Sequence, residues 1–147
     1  AVANPTDKLD YYGVFTQDYT DGIRIAQFMR YEQTSGKVDS IAFDSDKNVF
    51  PVTSADDQSA SIKLLAATRA SSLIQLYING ASDNSTAITG TAPTGTERIG
   101  GGATNIKVGT EYPMLGHIFE VIAYNSVLSS ENLALVESYL NNKWSIY

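Results

Sequence analysis

The sequence contains no cysteine, one histidine and one tryptophan, and each scarcity closes off a class of chemistry. Without cysteine there is no disulfide, no thiolate metal site and no thiol nucleophile. The compartment stays open, because many extracellular and virion proteins also lack cysteine. A lone histidine, His117, has no second histidine with which to build a metal centre or a nucleophilic relay. No apolar run reaches the length of a membrane-spanning helix, and no charged-then-apolar leader opens the chain. Basic residues are outnumbered, 10 Lys and Arg against 16 Asp and Glu, for a net charge of −6. They are also scattered, whereas a nucleic-acid surface needs them clustered. An acidic surface has no electrostatic pull toward anionic lipid. Neither nucleic acid nor membrane insertion is therefore expected. The chain opens on Ala1 rather than Met, which reads as processed, excised or trimmed.

What is present suits one globular domain. The 147 residues are 43% hydrophobic and 18% charged, enough to bury a core. Residues 1–10 carry Asn4-Pro5 and little apolar content, so they read as an N-terminal arm or linker, with the domain spanning 11–147. From Tyr11 the chain breaks into short runs rich in β-branched and aromatic residues. Strands are expected at 11–16, 23–31, 38–43, 49–52, 61–67, 73–78, 86–88, 97–100 and 116–124, with turn-forming clusters at 18–22, 34–36, 44–48, 55–59 and 79–84. This spacing predicts an all-β, two-sheet antiparallel sandwich. In 73–78, Ile74, Leu76 and Ile78 share one face and Leu73, Gln75 and Tyr77 the other. Asn79-Gly80 follows directly and predicts a tight hairpin, since both residues tolerate positive φ.

The segment 89–109 is rich in Gly and Thr. Its Gly100-Gly101-Gly102 lacks the following helix of a dinucleotide fingerprint and the Gly-Lys-Ser/Thr of a P-loop, so it reads as connection. The C-terminus differs. Ser129 or Ser130 can cap a helix, Glu131 suits its first turn and Lys143 its last. Leu133, Val136, Leu140 and Trp144 form one apolar stripe. One short C-terminal α-helix is expected, seated through Trp144, with Asn141 and Asn142 fraying its end.

The run Leu115-Gly116-His117-Ile118-Phe119-Glu120-Val121-Ile122-Ala123-Tyr124-Asn125-Ser126-Val127-Leu128-Ser129 resembles the closing strand of laminin-G-like domains, which carry a pattern close to G-x-I-x-E-V-x-x-Y-N-x-x-L-S. The following Val136-Glu137-Ser138-Tyr139-Leu140-Asn141-Asn142-Lys143-Trp144 is similar to the V-x-x-Y-L-x-x-K-W tail of one branch. Gln75 to Gly80 resembles the family's hairpin strand, and Arg98-Ile99-Gly100 its short Ile-Gly strand. The resemblance covers 73–147 and implies a concanavalin A-like jelly roll, often a module for glycan or protein recognition in a secreted or virion protein. Such domains usually have a strand before the position of Tyr11. Its absence here implies an irregular start, or an edge covered by a neighbouring chain or segment.

Glucanases of this fold carry E-x-D-x-x-E on the active strand, and glycoside hydrolysis needs two carboxyl groups flanking the bond. This sequence has no such triplet, and Glu111 and Glu120 have the wrong spacing, so no catalytic residue is assigned and the chain is not expected to be an enzyme. His117 and Glu120, three apart on a strand, are expected on opposite faces. Glu120 is expected to bond its neighbours.

Asp44, Asp46 and Asn48 copy the start of a calcium loop, D-x-D-x-N. Val49 and Ala55 stand where an EF-hand needs Gly and Glu, so only a looser calcium site is open. No cofactor is required; calcium is the one ion considered. Nine tyrosines offer rings with a polar tip. A ligand patch is expected from the loop residues Tyr19, Asp21, Asp83, Asn84 and Tyr112. The leading expectation is a glycan-binding recognition or adhesion module, extracellular, on a cell surface or in a virion. The second is a phage or virion structural domain decorating a capsid, tail or fibre, acting in a homo-oligomer or larger assembly. A third is a degenerate glucanase.

Overall fold

The computed structural model describes residues 1–5, 12–18, 25–31, 35–44, 46, 48–58, 61–90, 99–100, 116–124 and 126–147. Among the described residues, ten strands and one helix follow in order: β1 (Val2–Pro5), β2 (Tyr12–Asp18), β3 (Ile25–Tyr31), β4 (Val38–Phe43), β5 (Val49–Thr53), β6 (Lys63–Arg69), β7 (Leu73–Ile78), β8 (Ala81–Ala87), β9 (Ile99–Gly100), β10 (Gly116–Glu120) and α1 (Ser130–Trp144). They form two five-stranded antiparallel sheets, ordered β10-β1-β6-β7-β8 and β5-β4-β3-β2-β9. The expected two-sheet sandwich with a C-terminal helix is the observed architecture.

Within the expected N-terminal arm, residues 1–5 are built into the fold. Val2–Pro5 is a strand inside the first sheet, antiparallel to β10 on one side and to β6 on the other. This is the strand that had looked absent before Tyr11. Four residues with an Asn-Pro pair carry too short a pattern to read as a strand. Tertiary pairing supplies what propensity does not: Leu65 N–H donates to the Ala1 carbonyl at 2.8 Å. Val2 and Ala3 are fully buried on opposite faces. Ala3 enters the core between the sheets with Val38, Ala42, Val52, Leu65, Ile74, Leu76 and Ile88. Val2 joins Leu64 and Leu140 in a second core beneath α1. Each of the Val, Leu and Ile side chains contributes about 1.5–3 kcal/mol by leaving water.

The hairpin forms as its sequence dictates. Asn79 and Gly80 have φ of 51° and 78°, and β8 departs at once from Ala81, so the turn is two residues long. The strand thus begins five residues before the expected 86. Ala-Ser-Asp-Asn-Ser-Thr-Ala has poor strand propensity, but it is an edge strand, where one face meets water and the hairpin sets its register.

Ser129 caps α1, its Oγ accepting from Asn132 N–H at 3.3 Å. Glu131 lies in the first turn and Lys143 in the last. Leu140 is buried, while Val136, Trp144 and Ile146 pack partly buried beside it. The end of α1 does not fray at Asn141. Its Oδ1 accepts from the Ile146 and Tyr147 amides at 3.1 and 2.9 Å, and its Nδ2 donates to the Tyr147 carbonyl at 2.9 Å. Among the described residues no helix is long and apolar enough to cross a membrane.

Candidate functional site

Strand β10 lies at one edge of its sheet, and its pairing with β1 is irregular. Val2 faces Glu120 and Ala3 faces Ile118, so Phe119 is an extra residue. This is a β-bulge, a device that sits at sheet edges and re-aims side chains. It also overturns the expectation that His117 and Glu120 lie on opposite faces. Asn4 pairs with His117 and Val2 with Glu120, and residues two apart on β1 share a face. The inserted residue shifts the parity by one, which places His117 and Glu120 on the helix side together.

There the side chains converge. Glu120 Oε2 accepts from Trp144 Nε1–H at 2.9 Å and from Lys143 Nζ at 3.0 Å. Those two bonds, Trp144 first and Lys143 second, hold the Glu120 carboxyl below its usual range. Lys143 is correspondingly raised, by Glu120 and then by Tyr139, whose hydroxyl accepts from Nζ at 3.1 Å. The ammonium stands over the Tyr139 and Trp144 rings, 5.4 and 5.3 Å from their centroids. The Phe119 ring is 5.2 Å from Trp144 and 6.0 Å from His117. Glu120 therefore bonds its neighbours, as expected, and Trp144 anchors the helix while staying half-buried.

The predicted calcium residues meet in a different arrangement. Asp44 is buried. Its Oδ1 accepts from the Asp46 and Asn48 amides at 2.9 and 2.8 Å, and its Oδ2 from Asn48 Nδ2 at 2.8 Å. The Asn48 side chain first, then the two amides, depress the Asp44 carboxyl. Gly90 lies so close that a Cβ there would collide with this carboxylate. Asp44 organises its own turn, with Asp46 and the Asn48 bonded to it exposed. Among the described residues no cluster of three or more His, Cys, Asp or Glu side chains is arranged to hold a metal ion.

Of the expected ligand residues, Tyr19, Asp21 and Tyr112 lie outside the described residues. Asp83 and Asn84 sit on β8, at the opposite edge of the sheet from β10. Asp83 Oδ2 accepts from Ala55 N–H at 2.9 Å, Asn84 Nδ2 donates to the Thr53 carbonyl at 3.0 Å, and Thr86 Oγ1 donates to the Pro51 carbonyl at 2.6 Å. All three acceptor or donor groups belong to β5 or its exit, so these side chains stitch the edges of the two sheets together. Asp39 on β4 accepts from Thr53 Oγ1 at 2.7 Å.

A family model for laminin-G-like domains, described as the concanavalin A-like lectin/glucanases superfamily, matches residues 4–134. The chain belongs to this superfamily. The match begins inside β1 and so takes in the N-terminal half, where no single motif was legible. Among curated proteins none matches the chain. The laminin-G-like pattern residues Glu120, Tyr139, Lys143 and Trp144 turn out to be the clasp that pins α1 to β10. They mark the fold of the lectin/glucanase-like domain before they mark any chemistry. Phe119 and the bulge that turns it toward the helix were missed, because a bulge depends on register between distant strands.

Proposed function

We propose that this laminin-G-like domain is a non-catalytic recognition module that binds glycan, working outside the cell, on a cell surface or in a virion. The observation that carries this reading is the use made of the strand carboxylates. Asp39, Asp83 and Glu120, those whose side chains are described, each accept hydrogen bonds from the fold. A glycosidase needs two carboxyl groups free to flank one bond. Superfamily membership supports binding as the role, and exposed aromatic surface on β10 and α1 supplies the kind of contact sugars use. The test is a screen of the domain against a broad panel of neutral and acidic glycans, with calcium and with chelator. Binding that survives chelation is the expected result. Silence across the panel under both conditions would overturn the reading.

A second reading is a structural domain of a virion or other assembly acting through protein contacts. Leu135 and Val127, 69% and 51% exposed, favour it, since large exposed aliphatics suit a protein partner. Sedimentation across concentrations tests it: self-assembly supports this reading, and a monomer throughout counts against it.

A further inference from the structure

The clasp between β10 and α1 explains why Trp144, Glu120 and Lys143 are where they are. It leaves three features unexplained. Phe119 is 38% exposed and Tyr139 51% exposed, and His117 is exposed beside them. The bonds of Glu120 to Trp144 and Lys143 hold the helix without requiring any of these rings to face solvent. Instead the bulge turns Phe119 out of the regular pleat, between His117 and Trp144, so that rings succeed one another at 6.0 and 5.2 Å. Polar groups stand at the margin. The Lys143 ammonium has three N–H donors and spends two on Glu120 and Tyr139, leaving one. The Tyr139 hydroxyl, accepting from Lys143, keeps its own hydrogen to donate.

The three rings are tilted to one another, by 34° and 53°, so a single ring, Phe119, offers the stacking face. An exposed ring with donors fixed beside it is the complement of a pyranose, whose C–H face packs on a ring while its hydroxyls take hydrogen bonds. A purely apolar partner would leave the Lys143 donor buried and unpaired, at a cost. We propose that Phe119, flanked by the His117 and Trp144 rings and with Tyr139 and Lys143 at the rim, forms a ledge on which one pyranose ring of a glycan stacks. The inference rests on the glycan-binding reading above and locates it on the edge of the sandwich, away from the loops that the sequence suggested.

Trp144 is the only tryptophan, so its emission reports on the ledge directly. The probes are β-1,3- and β-1,4-linked gluco-oligosaccharides, sialyllactose and a heparin tetrasaccharide, titrated into the intact chain by calorimetry and by fluorescence. The expected result is binding of at least one probe with a matching change in Trp144 emission. Phe119→Ala should then weaken that probe about tenfold, and Tyr139→Ala less. Tyr139→Ala, an exposed site, serves as second variant should Phe119→Ala fail to fold, with thermal unfolding checked for both. A probe that binds with full affinity to both variants and leaves the emission unchanged would overturn the ledge and leave the glycan reading intact. No binding by any probe would overturn the ledge, and the broad panel then decides the glycan reading by itself. A concentration-dependent dimer dissolved by Phe119→Ala would show the ledge to be a self-contact and overturn it as a sugar site.

Discussion

The two edges of the β10-β1-β6-β7-β8 sheet meet the same problem in different ways. An exposed edge invites unwanted strand pairing, and side chains tie each edge strand here to a neighbouring element. At β8, three short polar side chains, Asp83, Asn84 and Thr86, bond to backbone groups of residues 55, 53 and 51. At β10, the tie is to a helix packed on the face of the sheet and held by side chains on both partners: Glu120 with Trp144 and Lys143, and Phe119 with Trp144. The first closure asks nothing of the partner's side chains. The second asks for particular residues at both ends, and it leaves a patterned trace in the sequence.

The largest expected effect comes from breaking the aromatic closure. Trp144→Ala removes the indole from the second core and deprives Glu120 of its shortest donor. It should destabilise the domain by about 3 kcal/mol, the lower end for Trp truncation because the ring is only half-buried. Urea unfolding followed by circular dichroism measures it.

The polar closure should fail more gently. The triple change Asp83→Ala, Asn84→Ala and Thr86→Ala removes three bonds each worth about 1 kcal/mol or less at an exposed seam, giving a total loss of roughly 1–3 kcal/mol. Hydrogen exchange should rise at β5 and β8 and stay unchanged at β10. The comparison is sharpened by Ala55→Ser, which keeps the bonded amide. Its unfolding midpoint should match the parent, within about 0.5 kcal/mol.

A pH titration separates the closures further. The Glu120 carboxyl is depressed by its bonds to Trp144 and Lys143. The stability it lends is therefore present above the ordinary glutamate value, about 4.3, and is lost as pH falls through the lower folded value. Trp144 emission should shift over that acid range, and Glu120→Gln should abolish the shift. Lys143→Met should have the smallest effect, since an exposed ion pair adds little. A thermal midpoint close to the parent's is expected, and a large drop would show that the ammonium, not the indole, holds the helix.

The same contrast explains how much could be read beforehand. The strands at 38–43 and 73–78 fall where they were expected, as do the Asn79-Gly80 turn, the Ser129 cap and the helical stripe ending in Trp144. β8 did not, because a strand of Ala, Ser, Asp, Asn and Thr has no alternation to see. Its partners are backbone atoms, which every residue possesses. Asp83 and Asn84 looked like ligand residues for the same reason: short polar side chains in a loop-like run carry no sign of what they bond. Asp44, Asp46 and Asn48 looked like a calcium loop, yet Asp44 spends both carboxylate oxygens on N–H donors of its own turn.

By itself the sequence determined the two antiparallel layers, the tight hairpin and the amphipathic helix, since these follow from local periodicity, turn chemistry and capping within a few residues. Tertiary structure alone decided that Val2–Pro5 is an inner strand, that β8 is sewn to β5, and that a bulge brings His117, Phe119 and Glu120 to one face. Each of these depends on register between segments far apart in the chain. Register is fixed by which side chains end up buried together, and no local pattern states it.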